Sequence, residues 1–227
     1  MNWLSRFFTS SIGRKLIMSL TGLFLITFLV VHLTGNLQLL NDDGGFSFNT
    51  YAYFMTHNGL IKAISYGLYI FIVLHAIQGI VITVHNRSSR SKRYKNFKYR
   101  NASFASSNMA LFGLLILAFL FMHLGDFWLK MKLGQLDMVE YAGYGHPVAD
   151  LYTRVYTAFG IWWIVLLYVI GQVALFFHLK HGFYSAFQTL GWHHPKYTPI
   201  IKGFGLIYSI VIPLGFALIP LYIFFVK

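Results

Sequence analysis

Phe28–Gly35 reads FLVVHLTG, a histidine set deep in an otherwise apolar helix. An imidazole in hydrocarbon is costly, so a buried one needs a partner. His32 alone proves little, because a lone histidine in a span more often bonds a neighbouring helix or lines a cavity. Three further apolar stretches carry the same anomaly: His75 in IFIVLHAIQG, His123 in FLFMHLGDFW and His178 in VALFFHLKHG. Four such histidines on four separate helices point to two pairs of axial ligands, and so to two b-type haems.

The surrounding composition belongs to a membrane. Of 227 residues, 57% are hydrophobic and 11% charged, and the mean hydropathy is +0.60, a profile of an integral membrane protein. Five helices of about 20 to 25 residues use up roughly half the chain. The remainder is too short for a separate soluble domain, so residues 1–227 read as one transmembrane domain. The chain has no cysteine. Within it, iron–sulfur clusters, disulfides and thioether-linked haem are excluded, whereas haem held by histidine is not.

The apolar runs place five spans, at residues 16–40, 59–85, 106–130, 157–180 and 203–225. Met1–Arg14, with Trp3, Phe7, Phe8, Arg6 and Arg14, is expected to lie on the membrane surface as an amphipathic lead-in. The first run is too long for a signal-peptide core and lacks a small-residue cleavage site. Asn41–Tyr53 is polar, contains Gly44 and Gly45, and reads as a loop. The loop after span three carries Asp137, Glu140 and Asp150 with the turn-prone Gly143, Gly145 and Pro147. Gly191–Pro195 (GWHHP) leads into span five, where Pro213 and Pro220 are expected to kink the helix.

Five spans put the two ends of the chain on opposite sides. With the N-terminus inside, that side carries Arg6, Arg14, Lys15, the seven basic residues of Arg87–Arg100, Lys180, Lys196 and Lys202, and none of the six acids. The positive-inside rule therefore predicts a cytoplasmic N-terminus. The Arg87–Arg100 loop is a topology signal and a lipid-headgroup contact, and it also offers a docking surface for a cytoplasmic partner. Nucleic acid is not expected, since the basic stretch lies against a membrane with no recognition fold beside it.

Depth sorts the histidines. At a rise of about 1.5 Å per residue, His32 lies about 12 Å and His123 about 10 Å from the outer ends of their spans. His75 lies about 15 Å from the inner end, and His178 is nearer still to that face. The outer pair is then His32 with His123, and the inner pair His75 with His178. Local sequence agrees: spans one and three share F-L-x-x-H-L, and spans two and four share H-x-x-x-G, through Gly79 and Gly182. A glycine at i+4 lies on the histidine's own face, where a side chain would obstruct a porphyrin. His181, one turn from His178, competes for the fourth ligand position but lacks that glycine. His57, His146, His193 and His194 lie in loops or at their edges, and His85 sits at the inner interface.

Five motifs in order carry a family resemblance: SSIGRKLIMSLTG (Ser10–Gly22), VVHLTGNL (Val30–Leu37), the HAIQG of span two, the FMHLGD of span three and HLKHGFYSAFQTLG (His178–Gly191). The chain resembles, over essentially its whole length, the five-helix di-haem cytochrome b (b558-type) subunit of succinate dehydrogenases and fumarate reductases. The resemblance implies an all-α integral membrane five-helix bundle, four of whose helices clasp two stacked haems b. It implies a flavoprotein subunit and an iron–sulfur subunit on the cytoplasmic face. Electrons would pass from succinate through those subunits and the haems to a quinone. The family's ligands fall on His32 and His123 for the far haem, and on His75 and His178 for the near one.

For the quinone, expected to be menaquinone, the resemblance points to the outer haem, where Asp126 and Trp128 follow His123. Asp126 would exchange the quinone's protons, or else is a span-end acid in water. Ser19 would bond an inner-haem propionate, or else packs against a neighbouring helix. Position 176, two before His178, is phenylalanine, and span two has no acid. Proton-coupled quinol oxidation, as in some fumarate reductases, is therefore less expected than succinate oxidation in a bacterial inner membrane. Other readings are the cytochrome b anchor of a hydrogenase or formate dehydrogenase, against which His178–Gly191 argues, and a haem-free transporter with histidines in a proton relay, which would want carboxylates in mid-span.

Overall fold

A computed structural model describes residues 2, 3, 6, 7, 10–88 and 103–226. Phe8 and the basic loop beyond Ser88 lie outside the described residues, so the lead-in and the proposed docking loop are largely untouched by it. Five helices are long and apolar enough to cross a membrane, over Ser11–Leu40, Gly59–Ser88, Met109–Lys132, Trp162–Thr189 and Thr198–Val226. In chain order the helices are α1 (Ser11–Leu37), α2 (Phe46–His57), α3 (Gly59–Ser88), α4 (Phe104–Ser107), α5 (Met109–His123), α6 (Leu151–Phe159), α7 (Trp162–Thr189) and α8 (Thr198–Val226). α5 runs on through a π-helical stretch, Leu124–Leu129, and a last turn, Lys130–Lys132.

Helix starts follow from local chemistry. Ser10 caps α1, its Oγ accepting the Gly13 N–H at 3.0 Å, and Asp150 caps α6 through the Thr153 N–H at 3.0 Å. Both satisfy donors that the first helical turn leaves unpaired. Pro213 and Pro220 lie inside α8, which stays one continuous helix.

Round the bundle α1 packs on α3 and α7, and α5 packs on α3 and α7. This leaves α1 facing α5, and α3 facing α7, across the bundle axis. α8 lies outside this square, packed on α7 and α1, with Tyr208 donating its hydroxyl to the Ile26 carbonyl at 2.5 Å. Side chains are distributed as a lipid solvent requires. Ile70, Val73, Ile77, Ile80 and Val84 of α3 are exposed, while Ser19, Thr21, Gln172 and Ser209 are buried. Small and polar residues hold helices together where burial of apolar surface gives no driving force.

One end of the bundle carries a cap. The polar segment Asn41–Tyr53 is only in part a loop: Asn41–Gly45 turns, with Gly44 and Gly45 at φ 65° and 86°, and Phe46–Tyr53 belongs to α2. A side chain at Gly45 would also meet the Tyr152 ring at 2.5 Å, so that position takes glycine for both conformation and space. Asn49, 1% exposed, donates to Tyr141 Oη (2.9 Å) and Asp150 Oδ1 (3.0 Å) and accepts the Tyr152 N–H (2.9 Å). A polar residue so satisfied by distant partners makes a helix that its own polarity hides. The partners come from α6 and from a short hairpin, β1 (Met138–Val139) and β2 (Val148–Ala149).

Span boundaries also differ from expectation: the first and fifth spans start earlier, at Ser11 and Thr198, and the fourth departs furthest, at both ends. Thr157–Phe159 belongs to the cap helix α6, and the fourth span starts only at Trp162, after a break at Gly160 and Ile161. It then continues to Thr189, well past Lys180, because FYSAFQT is helix-compatible and buries Phe183 and Ala186.

Candidate functional site

Across the axis the four histidines meet in twos. The His32 and His123 rings are 5.7 Å apart between centroids, with planes at 84°. Those of His75 and His178 are 6.1 Å apart at 63°. Each pair joins diagonally opposed helices, α1 with α5 near the cap and α3 with α7 nearer the other end. His178, not His181, faces His75. Among the described residues no group of three or more His, Cys, Asp or Glu side chains could hold a bare metal ion; the histidines come strictly in twos.

The surroundings repeat. Met18, Gly22, Phe28 and His32 of α1 correspond to Met109, Gly113, Phe119 and His123 of α5 at one constant offset, and His75 and Gly79 of α3 correspond to His178 and Gly182 of α7 at another. The contacts repeat with them. A Cβ on Gly22 would lie 3.3 Å from His75 Cε1, and one on Gly113 3.8 Å from His178 Cε1. A Cβ on Gly79 would meet Met18 Cε at 3.2 Å, and one on Gly182 would meet Met109 Cε at 3.6 Å. The i+4 glycines thus admit a methionine from the adjacent helix, a role that spacing alone does not reveal. The helix pairs α1–α3 and α5–α7 are related as a parallel repeat about the bundle axis.

Second partners break that repeat. Thr21 Oγ1 lies 3.1 Å from His75 Nδ1 and donates its own proton to the Ile17 carbonyl at 2.7 Å. A hydroxyl has one proton to give, so toward His75 it accepts. This fixes the proton on Nδ1 and leaves Nε2 as the free lone pair, the arrangement a metal-ligating histidine needs. The residue equivalent to Thr21 on α5 is Phe112, which has no hydroxyl, and His178 Nδ1 is buried with no hydrogen-bond partner. His123 Nδ1 lies 3.2 Å from Tyr168 Oη, and His32 Nδ1 3.4 Å from Asn36 Nδ2. Sequence reasoning missed Thr21, Tyr168 and Asn36. Their signal was only a polar group inside a span.

Would these residues fit a haem? Iron bonded to one nitrogen of each ring at about 2 Å would hold the two centroids roughly 6 Å apart, which is the separation seen in both pairs. His178 Nδ1 is also buried without a hydrogen-bond partner. The donor set and its spacing fit.

Beside the His32–His123 pair lies a cavity of about 400 Å³ lined by Met122, Asp126, Arg154, Trp163, Ile164 and Tyr168. Asp126 is not a free acid in water: its Oδ1 takes Lys130 Nζ at 2.8 Å and also Arg154 Nη2. Trp128 is turned elsewhere, donating Nε1–H to Tyr69 Oη on α3 at 2.9 Å. Ser19 is buried with its hydroxyl bonded back to the Lys15 carbonyl at 2.9 Å, so its one proton is spent within α1. Arg154, on the cap helix, had no sequence signal.

No family model matches this chain, and no curated protein or solved structure matches it either.

Proposed function

We propose that the chain is the membrane anchor and di-haem electron-transfer subunit of a succinate:quinone oxidoreductase (respiratory complex II), set in the bacterial inner membrane with its N-terminus cytoplasmic. The observation that carries the reading is the meeting of four histidines as two diagonal pairs, at two depths, with ring separations suited to one iron each. His32 and His123 would hold one haem b, His75 and His178 the other. When bound, these haems would supply one-electron transfer between the two faces, and histidine on both sides of each iron leaves no open position for oxygen.

The protein's own task is to hold and orient. Thr21 keeps the proton on His75 Nδ1, Tyr168 steadies the ring of His123, and the paired glycines let α1 close on α3 and α5 on α7. Flavoprotein and iron–sulfur subunits, implied by the family resemblance, would dock at the end opposite the cap, where the basic residues gather. A quinone, menaquinone by the same resemblance, would take two electrons and two protons in the cavity next to His123. Asp126 is the one acid within any span, against the mid-span carboxylates that a proton-relay transporter would want.

A reduced-minus-oxidised spectrum of the purified complex, with pyridine-haemochrome quantification per chain, tests the reading. Two low-spin haems b per chain are expected. One would break a pair, and none would remove electron transfer altogether.

A further inference from the structure

All six acids of the chain lie at the cap end of the bundle or in the segments that build the cap. At the opposite end two cations come together on the flank where α7 packs on α8. Lys202 of α8 sets its Nζ 4.7 Å from the centre of the Tyr184 ring of α7. Lys180 stands one turn before Tyr184 on the same face of α7, with its Nζ 5.6 Å from the centre of the Phe176 ring. The Tyr184 hydroxyl lies 3.0 Å from His193 Nδ1. Among the described residues neither lysine has a carboxylate partner, so the cluster holds positive charge and no anion.

Depth narrows the anion. Trp162, exposed at the cap end of α7, marks one membrane interface, and Lys180 follows it by about 27 Å of helix. An apolar bilayer core is about 30 Å thick, so Lys180 stands where hydrocarbon meets the headgroups of the other leaflet. A long side chain on a helix leans toward the helix N-terminus, which for Lys180 is into the bilayer, where a bare ammonium is costly. Below each lysine runs an exposed apolar strip. Val173 lies on the Lys180 face of α7, and Leu206 and Ile210 on the Lys202 face of α8. We propose that Lys180 and Lys202 bind the phosphate of an anionic phospholipid whose acyl chains lie along those strips. Two ammonium groups give the phosphate charge-assisted hydrogen bonds. Tyr184 is a positioning residue: its ring holds Lys202, and His193 holds its hydroxyl. A zwitterionic headgroup brings a cation of its own to a site that already has two, so a net negative headgroup is preferred. A soluble anion would leave the strips uncovered. The inference stands apart from the haem reading.

The test is native mass spectrometry of the protein purified with any subunits that accompany it, titrated in neutral detergent with dioleoyl phosphatidylglycerol or dioleoyl phosphatidylcholine. Wild type is compared with Lys180→Gln, Lys202→Gln, the double variant and Lys180→Arg, and with Lys132→Gln at the cap end, each checked for folding by circular dichroism. Wild type is expected to bind phosphatidylglycerol more tightly than phosphatidylcholine. Each glutamine at 180 or 202 should weaken phosphatidylglycerol about fivefold, and the two together about thirtyfold. Lys180→Arg and Lys132→Gln should bind as wild type does. Equal affinity of wild type for the two lipids overturns the assignment, as does a loss in Lys180→Arg equal to that in Lys180→Gln, which would mean that shape is read and not charge. Displacement of the lipid by millimolar inorganic phosphate would make the ligand a free anion and overturn it too. So would unchanged phosphatidylglycerol affinity in the double variant; if an accompanying subunit is lost at the same time, the two lysines belong to a protein interface.

Discussion

His75 Nδ1 lies 3.1 Å from Thr21 Oγ1, and that hydroxyl has already given its proton to the Ile17 carbonyl. The neutral imidazole is therefore held as one tautomer before any metal arrives. Thr21→Val keeps the shape and removes that acceptor, leaving the Met18 backbone as the remaining hydrogen-bond partner of the His75 ring, which is then less firmly held in one tautomer. We expect the haem proposed between His75 and His178 to bind about 10- to 100-fold more weakly and its midpoint potential to shift, while the one proposed between His32 and His123 is unchanged. Thr21→Ser restores the acceptor and should restore both. Redox titration of the two haem bands separates these outcomes; equal behaviour of Val and Ser would refute the tautomer argument.

The parallel repeat gives a second expectation. Gly22 and Gly113 occupy equivalent sites against His75 and His178, where a Cβ would press on the first ring at 3.3 Å and touch the second at 3.8 Å. Leucine at either position would push the facing ring off the axis. Gly22→Leu and Gly113→Leu should each lose the same haem, the one between His75 and His178, and leave the other in place. Pyridine-haemochrome analysis would then read one haem per chain in both. Loss of different haems in the two variants would mean that the helix pairs are not equivalent.

Removal of each proposed ligand is the plainest check on the pairing. His32→Ala and His123→Ala should be spectrally alike, as should His75→Ala and His178→Ala, each losing one haem. His181→Ala should keep both, because His75 faces His178 and not His181. Two haems retained in His178→Ala would overturn the pairing.

What could be read ahead of the structure was whatever a one-dimensional pattern carries. Span length and hydropathy are local sums, so the five spans were legible, and histidine depth needs only the helical rise. The sorting of four histidines into two pairs followed from depth. The Met18/Gly22 and Met109/Gly113 echo stood in the sequence too, but methionine and glycine are ordinary in spans and mean something only through the contact they make. α2 was hidden because its polar residues are satisfied by partners far along the chain, as Asn49 is by Tyr141, Asp150 and Tyr152. Arg154 was hidden for the same reason: its partner Asp126 lies on another helix, beyond the hairpin. Which way Trp128 faces was not legible either, because its spacing from His123 does not say that it reaches Tyr69 on α3.

The cap itself should respond to acid. Asn49 is buried and joins α2 to Asp150, which caps α6. Burial pushes the Asp150 carboxyl up, but hydrogen bonds from the Thr153 hydroxyl, the Thr153 N–H and the Asn49 amide outweigh it, and its pKa lies below the ordinary value. A carboxylate depressed in the folded state stabilises above its unfolded value of about 3.9, and that contribution is lost as pH falls through the folded value. Stability contributed by the cap should thus be flat from neutral pH down to about pH 4 and decline below it. Asp150→Asn keeps an acceptor for Thr153 and Asn49 but cannot titrate, so the wild-type advantage over it should vanish in acid. Asn49→Leu, which leaves the Tyr152 N–H unpaired and takes one donor from Asp150, should cost about 1–3 kcal/mol at neutral pH. Thermal unfolding in detergent from pH 3 to pH 7, followed by circular dichroism, reads all three proteins. A constant gap between wild type and Asp150→Asn across that range would remove Asp150 from the account of how the cap is held.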